Sequence, residues 1–295
     1  MRLATFNCEN LFARYNFKKN LEPKKEDGFT INDLAFDIYD ETEKKITAEA
    51  IRKVKADIIA LEEVESLPLL DKFNTEYLDS RYKHRILIDS HDPRGIDVAV
   101  LSTYPIFSIR SYRHERNAAK KSWLFSRDCL EVTIDVDGKI LTLYVNHFKS
   151  MIGGRDETRK KRIEQSERVA NIIDEQWGTL NYEGNFVVLG DFNDYPEDNT
   201  SLASLLMHPG LYNVIERLPE DEQWTHYYSG NEYRQLDYLL ISKSLAALNQ
   251  NKPVIIRNGL PYRATRYTGE RFANVGNDNP KASDHAPFAM DLELI

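Results

Sequence analysis

Residues 185–194 read Asn185-Phe186-Val187-Val188-Leu189-Gly190-Asp191-Phe192-Asn193-Asp194, and the fold hangs on how they are read. An apolar, largely β-branched run that stops at a glycine and then at carboxylates predicts a buried strand whose polar tip leaves the core. Gly190 lets the backbone turn sharply there. Asp191 and Asn193 are two apart, so in extended geometry both side chains leave the same face. A carboxylate and a carboxamide side by side on a rigid strand end can hold a water or a phosphoryl oxygen. The same Asp-x-Asn spacing also suits a turn in which short polar side chains bond their own backbone. The stretch therefore needs support from the rest of the chain.

Upstream of it, 155–177 carries Ile163, Val169, Ile172 and Ile173 at roughly helical spacing and predicts the longest helix. Before that, 123–136 and 140–148 predict two strands joined by Asp137-Gly138, the strongest hairpin signal in the chain. Downstream, 201–207 reads as a short helix, and 236–241 and 286–292 as strands. In the first third, strands at 3–10, 56–64, 84–88, 96–101 and 106–112 accompany helices at 47–55, capped by Thr47, and at 67–78. Residues 14–45 read as a polar surface excursion with one helical turn near 31–38. Some neighbouring strands are linked by hairpins and others through helices, which predicts mixed sheets with helices outside. No internal repeat and no Gly/Ser/Pro-rich linker divides the chain, so a single domain over 1–295 is expected.

The chain of 295 residues is 41% hydrophobic and 29% charged, an ordinary globular balance with enough apolar material for a substantial core. No apolar run approaches the roughly 20 residues of a membrane span, and no secretory signal precedes the first strand, so a cytoplasmic protein is expected, or a secreted one if the chain has been trimmed. Two cysteines, Cys8 and Cys129, are too few for a disulfide framework and lack metal-ligand spacing. The net charge of −8 argues against a nonspecific nucleic-acid glove. Yet residues 104–127 hold six bases against one acid, and 252–281 hold six against two. Such local basic segments can steer a polyanion to one face.

Polar residues recur at the ends of apolar runs far apart in sequence: Asn7, Glu63, Asp97, Asn146-His147-Phe148-Lys149, Asp191-Phe192-Asn193, Asp237 and Ser283-Asp284-His285. With two packed sheets and these ends together, the site holds Asn, Glu, Asp and two His. It lacks the thiolates or histidine clusters that favour zinc. Hard oxygen donors in small number suit Mg²⁺ or Mn²⁺.

This ordered set resembles the endonuclease/exonuclease/phosphatase superfamily, the DNase I-like fold, over nearly the full length. The matching pieces are an Asn in the first strand, Leu61-Glu62-Glu63-Val64, Gly190-Asp191-Phe192-Asn193, Leu236-Asp237-Tyr238 and Ser283-Asp284-His285. The resemblance implies a four-layer α/β sandwich: two mixed β-sheets flanked by helices. It implies that Glu63 and Asn7 bind the metal with help from Asp284, and that Asp191 and Asn193 position the attacking water and phosphate oxygens. It further implies that Asp237 pairs with an essential His285. Family members more often have Gln where this chain has Glu62; strand alternation puts Glu62 and Glu63 on opposite faces, and Glu62 reads as a surface residue. His147 resembles the second catalytic His of the DNase I-like branch, with Asp97 as its acid partner, and Asn146-His147-Phe148-Lys149-Ser150 resembles bacterial secreted-type nucleases.

Tyr262, Arg263, Arg266, Tyr267 and Arg271 interleave rings and cations just before the His285 motif, so Arg263 and Arg266, together with Lys149, are expected to contact substrate. The expected activity is metal-dependent phosphodiester hydrolysis, on DNA or RNA, by a monomer. A phosphatase or phosphodiesterase acting on a small or lipid phosphoester is the alternative. Asp194-Tyr195-Pro196 after the Gly-Asp-x-Asn motif departs from the phosphoinositide phosphatases, which usually carry an Arg there.

Overall fold

The computed structural model describes residues 1–17, 34–38 and 40–295. In chain order it begins with β1 (Arg2–Leu11), β2 (Ala13–Phe17), β3 (Leu34–Ile38), α1 (Glu41–Val54), β4 (Ile58–Val64), α2 (Leu67–Tyr77), β5 (His84–Leu87), β6 (Asp97–Ser102) and β7 (Ile106–Ser111). The central part holds β8 (Cys129–Val136), β9 (Lys139–His147), α3 (Arg155–Trp177), β10 (Phe186–Asp191), α4 (Ala203–Leu206) and β11 (Leu211–Asn213). The chain closes with β12 (His226–Tyr227), β13 (Tyr233–Arg234), β14 (Asp237–Ser242), α5 (Lys243–Leu248), β15 (Val254–Ile255) and β16 (Phe288–Asp291). No helix among the described residues is long and apolar enough to cross a membrane.

Two six-stranded sheets form the body, in the orders β15-β16-β1-β4-β6-β5 and β11-β14-β10-β9-β8-β7. Each contains one parallel pair, β1 with β4 and β9 with β10, and is otherwise antiparallel. The parallel pairs follow from connectivity, because a parallel neighbour needs a crossover and α1 and α3 supply it. Asp137 and Gly138, at φ 55° and 87°, make the tight β8–β9 hairpin.

Period-two alternation divides the side chains into layers. Leu3, Ile58 and Val100 of one sheet meet Val132, Leu143, Leu189 and Leu239 of the other in the central core. Their neighbours Ala4, Ile59 and Leu101 face outward against Ile51 of α1 and Phe73 of α2. On the far side, Tyr144, Val188 and Leu240 pack on Val169 and Ile173 of α3. The molecule is thus a four-layer helix–sheet–sheet–helix sandwich, as the strand and helix pattern implies.

The first excursion differs from expectation. Leu34–Ile38 pairs with Ala13–Phe17 as an antiparallel ribbon, so the helical turn expected near 31–38 is a strand over its second part, while 31–33 lie outside the described residues. Helix α1 begins at Glu41, with Asp40 accepting from the Glu43 N–H. This cap outcompetes Thr47, which lies inside the helix and bonds the Glu43 and Ala282 carbonyls. Residues 123–128 are a loop, although Leu124 and Phe125 are buried against the α3 side.

Gly190 is also not at a turn. It lies inside β10 at φ 127°, and a Cβ there would meet the Asn146 carbonyl oxygen at 1.9 Å. Glycine is required because β9 and β10 approach too closely for a side chain.

Candidate active site

Strand register assembles the centre of the site. His147, Asp191 and Asp237 are direct partners across β9, β10 and β14, so the three side chains stand in a row at one end of the sheet. From the other sheet, the end of β1 brings Asn7, whose Nδ2 donates to Asp191 Oδ2 at 3.0 Å. The loop before β16 brings Ser283, whose hydroxyl donates to the Asn7 carbonyl (2.8 Å) and accepts from the His285 N–H (3.0 Å). These bonds hold His285 over the row, where its Nδ1 lies 2.8 Å from Asp237 Oδ2.

Asp191 is the hub. Its Oδ2 accepts from Asn7 and from Asn193 Nδ2 (3.0 Å) and lies 3.5 Å from His147 Nε2 and 3.8 Å from His285 Nε2. Its Oδ1 accepts from the Asn193 N–H at 2.8 Å, so the self-bonded turn and the functional pair are the same structure. Asn193 reaches this geometry in the left-handed region, φ 51°, and not on an extended strand.

Two irregularities in the first sheet aim its acids. The β1–β4 register shifts after Asn7, with Glu9 and Asn10 at φ 47° and 67°. The β4–β6 register shifts between Glu62 and Val64, with Glu63 at φ 64°. Such bulges re-aim side chains beside functional sites. Glu63 is thereby turned into the cleft, its Oε2 accepting from the Asn10 N–H (3.0 Å) and its Oε1 4.0 Å from His147 Nε2. Glu62 is not a surface residue: it is fully buried between the sheets, where Thr5 Oγ1 donates to it at 2.9 Å. Burial, and then Asp237, push its carboxyl pKa well above the usual range.

The two histidines sit in opposite fields. Burial, and then Arg127, His285 and Arg94, hold His147 well below the usual imidazole pKa. Burial also opposes charge on His285, but Asp237 and Asp191 outweigh it and lift its pKa well above the usual value. Asp191 is pushed up to about 6 by burial, against the pull of His285. One ring is therefore neutral and the other charged, the division of roles that acid–base chemistry uses.

The cleft that these residues line is about 520 Å³, and Glu9, Arg94, Arg127, Tyr195, His226 and Arg234 also face it. Glu9 and Glu63 are both held above the usual carboxyl range by burial and by Asp284. The Glu9, Glu63 and Asp284 carboxylates repel one another here, and hard oxygens are the donor type that divalent cations such as Mg²⁺ or Mn²⁺ take. Among the described residues, the groups of three whose possible ligand atoms lie close together are His226 with Asp284 and His285, and Asp191 with Asp237 and His285.

Four expected contacts are not made. Asp97 does not pair with His147; its Oδ1 accepts from the Ser90 N–H and hydroxyl, and His147 Nδ1 is buried with no partner among the described residues. Strand β6 begins beside the 88–95 loop, and Ser90 of that loop takes the carboxylate. Arg263 pairs with Asp278 of its own loop, and Arg266 donates to the Asp221 carbonyl of the 220–222 turn, so both are engaged away from the cleft and neither lines it. Lys149 lines an adjoining cavity in place of the cleft itself. Conversely, Arg127, Arg94, Glu9 and His226 are residues that sequence reasoning did not single out. Arg127 had only its membership of a basic segment as a signal, whereas it is 2% exposed and donates to the Phe148 carbonyl just past His147 at the end of β9.

Comparison with known proteins agrees with the fold. The truncated TDP2 of Caenorhabditis elegans superposes with a TM-score of 0.61 at 16% identity, covering 98% of this chain and 95% of that one. The catalytic domain of human Nocturnin, solved with a bound sulfate anion, gives 0.63 at 15% identity over 100% and 94%. A mannosyl-6-phosphatase of Bacteroides thetaiotaomicron gives 0.60 at 14% over the whole of both chains. At these identities the likeness establishes the shared fold. No curated protein sequence matches significantly. The model of the Endonuclease/Exonuclease/phosphatase family matches residues 2–268, and the chain belongs to that family of hydrolases.

Proposed function

We propose that the chain is a divalent-metal-dependent phosphodiesterase that hydrolyses polynucleotides. The observation that carries this reading is the convergence of Asn7, Glu63, Asp191, Asn193, His147 and the Asp237–His285 pair in one cleft whose wall holds Arg94 and Arg127. Glu63, with Asp284, Asn7 and Glu9 around it, would hold the cation, which when bound supplies charge neutralisation at the phosphoryl oxygens. Asp191 and Asn193 orient the attacking water, Asp191 offering the acceptor oxygen. His285, fixed through Nδ1 by Asp237, turns Nε2 towards the phosphoryl group and stabilises its developing charge. His147 presents Nε2 from the opposite side. Arg127, held in place by Phe148, fixes the phosphate against the wall.

A second reading has a specific observation in its favour. Arg263 and Arg266, the cations expected to grip a polymer, lie outside the cleft, which suits a small phosphoester substrate. A panel of plasmid DNA, single-stranded DNA, RNA, bis-p-nitrophenyl phosphate and p-nitrophenyl phosphate, each with Mg²⁺ and Mn²⁺, separates the two. Polynucleotide cleavage abolished by EDTA is expected. Turnover only of the monoester moves the assignment to a phosphatase, and undiminished turnover in a thoroughly chelated sample removes the metal.

A further inference from the structure

A second cavity of about 530 Å³ opens beside the catalytic cleft, and the two share a wall of Arg94, Arg127, Ser150 and Ile152. Past that wall the second cavity is lined by Lys149 and Lys161, so four cations face two acids, Asp92 and Glu157. Asp92 is already engaged. It accepts from Arg94 Nε and Nη2, both at 3.0 Å, and lies 3.5 Å from Arg127 Nη1. Glu157 is exposed at the rim. Arg127 is nearly fully buried, and its Nε has no partner among the described residues. The Lys149 ammonium makes no hydrogen bond or ion pair among the described residues, while burial beside Arg127 and Arg94 pushes its pKa down. Lys161 donates to the Trp123 carbonyl and is depressed by burial as well.

Cations collected in a half-buried hollow without matching carboxylates repel one another and gain by taking in an anion. Arginine forks and lysine point charges are the groups that phosphate recognition uses. The position decides which phosphate. Because Arg94 and Arg127 belong to both cavities, an anion here lies next to the group under attack.

We propose that this cavity is a second phosphate subsite, which binds the non-scissile phosphate adjacent to the cleaved bond of a polynucleotide. The inference rests on the phosphodiesterase reading and deepens it, because a substrate with a single phosphate leaves the subsite unfilled.

Two measurements test it. The first compares kcat/KM for the dinucleotide TpT with its 5′-phosphorylated and 3′-phosphorylated forms in Mg²⁺. One phosphorylated form should be cut about tenfold better, the worth of one charge-assisted contact. Lys149→Met and Lys161→Met should each bring that ratio towards one; a ratio unchanged in both variants overturns the subsite. The second uses the unaltered protein with metal chelated and needs no turnover. Inorganic phosphate should slow acetylation of Lys149 and Lys161 by acetic anhydride severalfold, as read by mass spectrometry, and leave exposed Lys53 and Lys252 unaffected. Absence of protection at both lysines overturns the subsite whatever the activity. Protection without cleavage of any diester leaves a phosphate site but removes the phosphodiesterase reading and, with it, the assignment of that site to a non-scissile phosphate.

Discussion

Asp237 spends one oxygen on His285 Nδ1, and its other oxygen is buried with no partner among the described residues. Among the described residues no other side chain bonds the carboxylate, so its effect on the proposed reaction should run through the ring that it orients. His285→Ala and His147→Ala should each lower kcat by at least about 10²-fold, the range for acid–base groups. Asp237→Asn should reproduce part of the His285→Ala loss with a smaller change in KM. A His147→Ala enzyme with wild-type kcat would remove that ring from the chemistry. Away from the cleft, Asp128 is 1% exposed and accepts from the Ser111 hydroxyl and the Tyr112 N–H, yet burial raises its pKa to about 6. A carboxyl raised by folding favours the native state most below its unfolded pKa, and that contribution is lost as pH climbs through the folded value. Asp128→Asn suits the position, since φ is 71° there and asparagine tolerates it. Relative to wild type, the variant should gain of order 1–3 kcal/mol between pH 4 and pH 7.5 in urea unfolding. Equal pH dependence of the two proteins would show that Asp128 titrates normally.

At the scale of elements, the closeness of β9 and β10 and the two bulges of the first sheet matter most. Gly190→Ala would set a methyl against the Asn146 carbonyl oxygen and force a side chain into φ 127°. Both faults act on the parallel pair that carries His147 and Asp191. A loss above about 3 kcal/mol, or failure to fold, is expected, at the severe end for single substitutions; a midpoint in urea within error of wild type would show that the strands separate easily. The bulges explain an error of reading. Alternation set Glu62 and Glu63 on opposite faces, and taking Glu63 as the inward one left Glu62 outside; in the structure Glu62 keeps the inward face shared with Ile58 and Ala60, and the irregularity at Glu63 turns that residue to the cleft as well. A bulge is set by how two strands meet, and the β4 residues themselves carry no mark of it.

At the scale of the whole molecule, the chain is acidic, with net charge −8, but the cleft and its neighbouring cavity share Arg94 and Arg127 and add Lys149, Lys161 and Arg234. A polyanion neutralised there releases counterions, so its KM should rise steeply with salt, whereas that of bis-p-nitrophenyl phosphate should respond weakly. Arg263→Glu with Arg266→Glu should leave the slope unchanged, because those cations are tied to Asp278 and the Asp221 carbonyl outside the cleft. A slope flattened by that pair would mean that the loop folds over the substrate. Ten of the twelve strands of the two large sheets, the long helix α3, the Asp137-Gly138 hairpin and the Gly-Asp-x-Asn and Ser-Asp-His motifs were legible in the sequence, because periodicity, turn chemistry and side-chain-to-backbone bonding act over a few residues. Only the tertiary structure decided the rest. Asn7 meets Asp191 across 184 residues of chain, Asp97 goes to Ser90 and leaves His147 Nδ1 without a partner among the described residues, and the cations that face the cleft come from the 88–95 loop, the loop before β8 and β13 and not from 262–271. Those choices depend on which strand ends two packed sheets bring together and on which partner lies nearest once they do, and neither is written in the spacing of residues along one strand.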